Sequence, residues 1–177
     1  MTGPRRPGSR GAWRRSLAAA RLALAVGALA VAGDVGAESW GGLTPGETTR
    51  AGVETLFGRP SRERALVEEG RTVPEWTYAA ERAPQGLERM VVSFGLQVGG
   101  RFAPDVVRAV TLYPKPRVFS LRAIAGGWGS PDTIGTEEAT GRPSFHYRTL
   151  GLLIILDRTG AWAELLLFGP RQPGGGS

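Results

Sequence analysis

A short helix with clear signals at both ends is encoded at residues 44–60, TPGETTRAGVETLFGRP. Thr44 is a good N-cap, because its hydroxyl can accept from the backbone N–H of Glu47 while the Glu47 carboxylate reaches back. Apolar residues then recur at helical spacing, at Val53, Leu56 and Phe57. Gly58 can adopt the positive φ of a C-terminal cap, and the proline two residues later prevents continuation. The stretch therefore predicts a helix of defined length with one apolar face.

The same pattern recurs 71 residues later, in PRVFSLRAIAGGWGSPD at residues 116–132. Downstream of the first helix lies the strand-like Trp76-Thr-Tyr78, and Phe145-His-Tyr147 follows the second at a shift of 69. Each is followed by segments rich in β-branched and apolar residues. Coincidences at a nearly constant spacing predict a tandem duplication.

The predicted fold class is α+β, with two tandem repeats and the helices on one face of the sheet. Each repeat is a short helical segment followed by about three antiparallel strands. The first repeat covers residues 38–115 and the second covers residues 116–170. Residues 171–177, RQPGGGS, have no core-forming side chain and are predicted to be a flexible tail.

Residues 1–37 have the organisation of a secretory signal peptide. The segment is basic up to Arg21, and an apolar run at 22–32 follows, too short for the roughly 20 residues that span a bilayer. Small residues allow cleavage after Ala32 or after Ala37. The sequence therefore predicts a protein of the periplasm or the exterior, with Sec or twin-arginine export and the cleavage site left open.

The charge and cysteine content exclude several classes of function. Six of the 22 basic and one of the 16 acidic residues precede residue 38, so the remaining 16 and 15 nearly cancel. Nucleic-acid binding needs a basic face and loses its main support. The absence of cysteine excludes disulfides, thiolate metal sites and the lipid anchor of a lipoprotein. With His146 as the only histidine and no nucleophile motif, we predict neither an enzyme nor a cofactor site.

Three short segments together resemble the signature of the SmpA/OmlA (BamE-like) outer-membrane assembly family. They are the helix start at 43–49, the helix end Leu56-Phe-Gly-Arg-Pro60 and the strand-like Trp76-Thr-Tyr78. The duplicated form is similar to the two-repeat arrangement of the β-lactamase inhibitor protein. The resemblance implies helices on one face of an antiparallel sheet and a protein-binding role. Two departures are the missing lipidated cysteine and Phe57, which separates the leucine from the glycine of the motif.

The last predicted hairpin, LLIIL at 152–156 and AWAELLLF at 161–168, carries apolar residues on both faces. If a four-residue loop sets Leu156 opposite Ala161, one face suits packing under helices, with Leu152, Ile154, Leu156, Ala161, Ala163, Leu165 and Leu167. The other face should meet water and be polar, but it carries Leu153, Ile155, Trp162 and Glu164. These four are the candidate protein-binding residues. A covering loop, a lipid tail or a second copy of the chain are the alternatives.

The sequence thus favours an exported soluble protein-binding module of the bacterial envelope, acting in outer-membrane protein assembly or envelope maintenance. The partner is another envelope protein, and association with the outer membrane would occur without a lipid anchor. The alternative is a proteinaceous inhibitor of a secreted or periplasmic hydrolase. The partner's identity and the oligomeric state, homodimer included, stay open.

Overall fold

The computed structural model describes residues 39–68 and 70–171 of the chain. This part contains eight strands and two short α-helices. The predicted signal peptide and nearly all of the predicted tail lie outside the described residues. The helices are α1 (Arg50–Phe57) and α2 (Leu121–Trp128). The strands are β1 (Arg62–Glu68), β2 (Arg71–Ala79), β3 (Leu87–Val98), β4 (Arg101–Pro114), β5 (Thr133–Thr136), β6 (Pro143–Tyr147), β7 (Leu152–Leu156) and β8 (Ala163–Phe168).

The predicted fold class, two tandem repeats of a helix and about three strands, is wrong. The described residues form one antiparallel sheet in the order β1-β2-β3-β4-β8-β7-β6-β5, and the helices contribute only eight residues each. The sheet is continuous because β4 pairs directly with β8, through Val110–Leu112 and Leu166–Phe168. The strand count was low because β1 and β5, at the two ends of the sheet, are too polar or too short to stand out in the sequence.

The hydrophobic core lies on one face of the sheet. Along β7 the buried and half-buried residues alternate, so that Leu152, Ile154 and Leu156 enter the core while the residues between them do not. Each helix adds one fully buried side chain to the same core, Val53 from α1 and Ile124 from α2. The opposite face, which we call the open face, contributes no residue to this core.

Helix α1 begins later than the sequence predicted. Its N-cap is Thr49, whose hydroxyl accepts from the backbone N–H of Gly52, while Thr44 begins a turn in which its own N–H donates to the Thr48 hydroxyl at 2.8 Å. The chain then joins β4, because the Thr48 carbonyl accepts from the N–H of Val107. Pairing with the sheet satisfies backbone groups that a longer helix would have used. The predicted helix end is confirmed, since the cap glycine has φ +71°.

Two tyrosines tie the helix ends to the sheet. The Tyr78 hydroxyl donates to the carbonyl of Gly58 at 2.9 Å, and the Tyr147 hydroxyl donates to the carbonyl of Gly129 at 3.1 Å. Both glycines are C-caps with positive φ, at +71° and +74°. The hydrogen bonds satisfy carbonyls that a helix end leaves without partners. They explain why the aromatic-x-Tyr strands accompany the helix ends in the sequence.

We expect stability to fall as the pH rises from 10 towards 12. Burial of Tyr78, and next the carboxylates of Glu54 and Glu63, raise its pKa from 10.0 to about 12, although Arg82 opposes this. When a pKa is higher in the folded than in the unfolded protein, the stabilisation is complete below the unfolded-state pKa and is lost as the pH rises through the folded-state pKa. For Tyr78 this stabilisation is at most about 3 kcal/mol. Burial also raises the pKa of Tyr147.

Urea unfolding at about pH 9 and about pH 11.5 tests this linkage. The Tyr78→Phe variant should lose about 1 kcal/mol at neutral pH, from the missing hydrogen bond. It should then lose clearly less than the unmodified protein between the two pH values. Equal losses in both proteins would contradict the assignment to Tyr78.

Candidate binding face

Four aliphatic side chains form a strip on the open face where the β7–β8 hairpin lies. They are half-buried: Leu153 and Ile155 from β7, and Leu165 and Leu167 from β8. The register sets Leu153 opposite Leu167 and Ile155 opposite Leu165, so the four side chains are neighbours on this face. We call them the apolar strip. Both described helices pack on the other face of the sheet.

A bulge in β8 decides which leucines belong to the strip. The register shifts between Ile155 and Leu156, and Leu156 pairs with Ala163 instead of Ala161. Because the extra residue reverses the alternation, Leu165 and Leu167 lie on the open face and not on the covered face predicted for them. The side chains that are buried in the core are instead Leu166 and Phe168. The predicted four-residue loop is therefore wrong, although Gly160 lies in the connection at φ +71°.

The four predicted binding residues are all near the open face but in different settings. Leu153 and Ile155 lie in the apolar strip. The extra residue at the bulge is Glu164, which forms an ion pair with Arg142. Trp162 precedes the bulge, is half-buried and bridges to Ser120. Leu165 and Leu167 were missed because a run of apolar residues gives no signal for a bulge.

A cavity of about 430 Å³ opens beside Trp162, where β4 and β8 separate beyond their short ladder. Its walls combine rings with carboxylates, and among its lining residues are Tyr113, Trp162, Pro114, Pro116, Glu88 and Glu164. Tyr113 and Leu165 flank this separation on the same side of the sheet. Glu164, which lines the cavity, directly precedes Leu165, so the cavity lies close to one end of the apolar strip.

The other half of the open face carries buried and half-buried ion pairs. Glu75, only 8% exposed, accepts from the Arg64 Nε at 2.6 Å and from the Ser93 hydroxyl at 3.4 Å. Glu68 of β1 bonds Arg108 of β4 through both carboxylate oxygens. Paired buried carboxylates avoid the cost of an unpartnered charge.

The Glu68–Arg108 pair spans half of the sheet. Strands β1 and β4 are separated by β2 and β3, a distance of about 14 Å in a flat sheet. The two long side chains meet above these strands, so they cover part of the open face.

Arginines without carboxylate partners give the open face a positive excess. Arg62 makes no ion pair among the described residues. Arg89 packs its guanidinium over the Tyr113 ring, 3.9 Å from the centroid. Three carboxylates of this face, Glu68, Glu75 and Glu164, are each bonded to an arginine, whereas Glu88 at the cavity forms no ion pair among the described residues.

His146 lies on the open face beside the apolar strip, opposite Leu153. Its Nε2 is 3.2 Å from the hydroxyl of Ser144, which is 3% exposed. No carboxylate bonds to His146 among the described residues. The hydrogen bond orients the ring at the edge of the strip.

Within residues 39–68 and 70–171, no group of acidic or histidine side chains could hold a metal ion. No helix in that part of the chain is long and apolar enough to cross a membrane.

No protein-family model matches this chain. No curated protein matches it either. Among solved structures, the chain is similar to a DUF4309 family protein (YjgB) from Bacillus subtilis, with 14% sequence identity and a TM-score of 0.48. The match covers 73% of this chain and 83% of the other. A similarity of this degree carries no argument about function.

Proposed function

We propose that this protein is an exported module of the bacterial envelope that binds another envelope protein through its open face. The observation that carries the proposal is the apolar strip, four half-buried aliphatic side chains that are adjacent on the face opposite the helices. A contiguous apolar patch on an outer face marks an interaction site more often than isolated apolar residues do. The signal-peptide pattern supports export, and the resemblance to outer-membrane assembly proteins favours a role in assembly or envelope maintenance.

The charges on the face define the partner's chemistry further. Paired carboxylates add no net charge, whereas Arg62 and Arg89 remain uncompensated by acids. A partner segment with apolar residues between aspartates or glutamates would complement both features. Binding to it should weaken with added salt, because rim charges are screened over about 10 Å at 0.1 M.

The test is photo-crosslinking in the native host, with a photoreactive amino acid at Ile155. The matched control carries the same amino acid at Ile134, another strand isoleucine, which is 68% exposed. Ile134 pairs with Phe145 and lies on the opposite side of the sheet. We expect the photoreactive residue at position 155 to crosslink to an exported protein, and the one at position 134 not to crosslink to it.

With the captured protein purified, the Ile155→Glu variant should bind at least about tenfold more weakly. The Ile134→Glu variant should bind as the unmodified protein does, and circular dichroism should show both variants folded. An Ile155→Glu variant of unchanged affinity would contradict the proposed face. So would a capture consisting only of the protein itself.

The alternative function, inhibition of a secreted or periplasmic hydrolase, has one supporting observation. The β3–β4 hairpin ends in an exposed tip, and its last three pairs, from Leu96 to Val98, involve these two strands alone. The tip carries Gly99 and Gly100, both at positive φ, and Val98 is 45% exposed. An exposed tip of this kind can enter an active-site cleft. Inhibition of a hydrolase panel, abolished by shortening the tip, would favour this alternative.

A further inference from the structure

Strand β1 leaves an unpaired backbone edge at one end of the sheet. All seven of its residues, Arg62–Glu68, pair with β2 on one side, and no described strand lies on the other. The opposite end of the sheet, β5, offers only four residues, Thr133–Thr136. A long open row of N–H and C=O groups is a template for another strand.

The order of charges along β1 is complementary to itself. The strand reads Arg-Glu-Arg-Ala-Leu-Val-Glu, and a second copy running antiparallel about Ala65 places Arg62 opposite Glu68. The same two-fold axis places Arg64 opposite Leu66, so its aliphatic stem covers the leucine. In an isologous pair each of these contacts occurs twice. Centring the axis on Arg64 instead would oppose two like charges, which is unfavourable.

Arg62 and Glu68 can make their contact without giving up an existing one. Arg62 has no ion pair among the described residues. Glu68 keeps 34% of its side chain exposed while bonded to Arg108, which leaves acceptor positions for a second guanidinium. Val67 is 76% exposed, the largest exposed fraction among the large hydrophobic residues, and would be covered by the stem of Glu63 from the second copy.

We propose that two copies of this protein associate edge to edge through β1, as an antiparallel pair centred on Ala65. The product is a continuous sheet of sixteen strands, eight from each copy. Side chains of even number along β1 share the open face, so the two open faces lie on the same side of the joined sheet. The contact uses the edge of the sheet and none of the four residues of the apolar strip, so loss of either contact can be measured without loss of the other.

Sedimentation equilibrium and a cysteine variant test the contact. The protein should dimerise in the micromolar range, and Arg62→Glu should raise the dimer Kd about tenfold, because each of two attractions becomes a repulsion. Arg101→Glu at the hairpin tip makes the same charge change away from β1 and should leave the Kd unchanged.

The chain has no cysteine, so a single introduced thiol reports the register. Ala65→Cys should form an intermolecular disulfide on mild oxidation, because the two Cβ atoms face each other about 5 Å apart. Arg62→Cys should not, because the two thiols would lie about 20 Å apart along the strands. A protein monomeric into the high micromolar range would overturn the proposal. So would a dimer that Arg62→Glu does not weaken, or one that Ala65→Cys does not crosslink.

Discussion

The Gly151→Ala variant is expected to lose about 3 kcal/mol of its free energy of unfolding. Gly151 has φ +61° and ends the 3₁₀ turn before β7. Its carbonyl accepts from the N–H of Gly169 at 2.8 Å, so the two backbones run in contact. An added Cβ would lie inside van der Waals contact with the Gly169 carbonyl oxygen and 2.9 Å from that of Pro170. Both obstacles are backbone atoms, so no side-chain rotation relieves them.

Gly99→Ala is the matched control for this variant. Gly99 has φ +56°, close to that of Gly151, but nothing lies within 4 Å of the added Cβ. Only the conformational cost remains, about 1 kcal/mol. Urea unfolding of both variants separates the two effects. Equal losses would show that the approach of Gly151 to Gly169 does not constrain the fold.

The Phe168→Ala variant is expected to lose about 4 kcal/mol, the usual cost of removing a buried ring. Phe168 is 1% exposed and pairs with Val110 on one side and Leu152 on the other. Its ring also meets that of Trp128 on α2, with the centroids 6.3 Å apart. The side chain therefore connects both halves of the sheet to a helix, and the cavity left by its removal cannot collapse easily.

Leu56→Ala provides the comparison, because Leu56 is 49% exposed on α1. Its loss should be within about 0.5 kcal/mol, since exposed apolar side chains contribute little to stability. Chemical denaturation of both variants, with unchanged slopes, gives the difference. A loss below about 2 kcal/mol for Phe168→Ala would contradict the central position of this ring.

The local signals at the helix ends could be read from the sequence because each depends on a few adjacent residues. Gly58 and Gly129 both cap a helix at positive φ, as predicted. The helix starts were not predicted, because the capping residues Thr49 and Ser120 form bridges to Val106 and Trp162, which are distant in sequence. A good capping pattern at Thr44 cannot outweigh backbone pairing that the sheet supplies.

The candidate site was predicted only in part, for a similar reason. Leu153 and Ile155 were identified because alternation fixes the face of each residue within one strand. Leu165 and Leu167 were assigned to the wrong face because the bulge shifts the register without changing the local composition. The positive excess of the open face depends on which arginines meet a carboxylate. That pairing joins strands far apart in the chain, such as β1 and β4.

The three-residue ladder between β4 and β8 also determines how the chain reaches this structure. Every other pairing in the sheet joins strands that are consecutive in sequence, and such hairpins form within microseconds. In this ladder alone the partners are distant, with Leu112 and Leu166 separated by 54 residues. Closing so large a loop costs entropy before any contact offsets it. We therefore expect this junction to set the rate of folding, so variants there should change the refolding rate, measured by stopped flow, more than variants in any single hairpin.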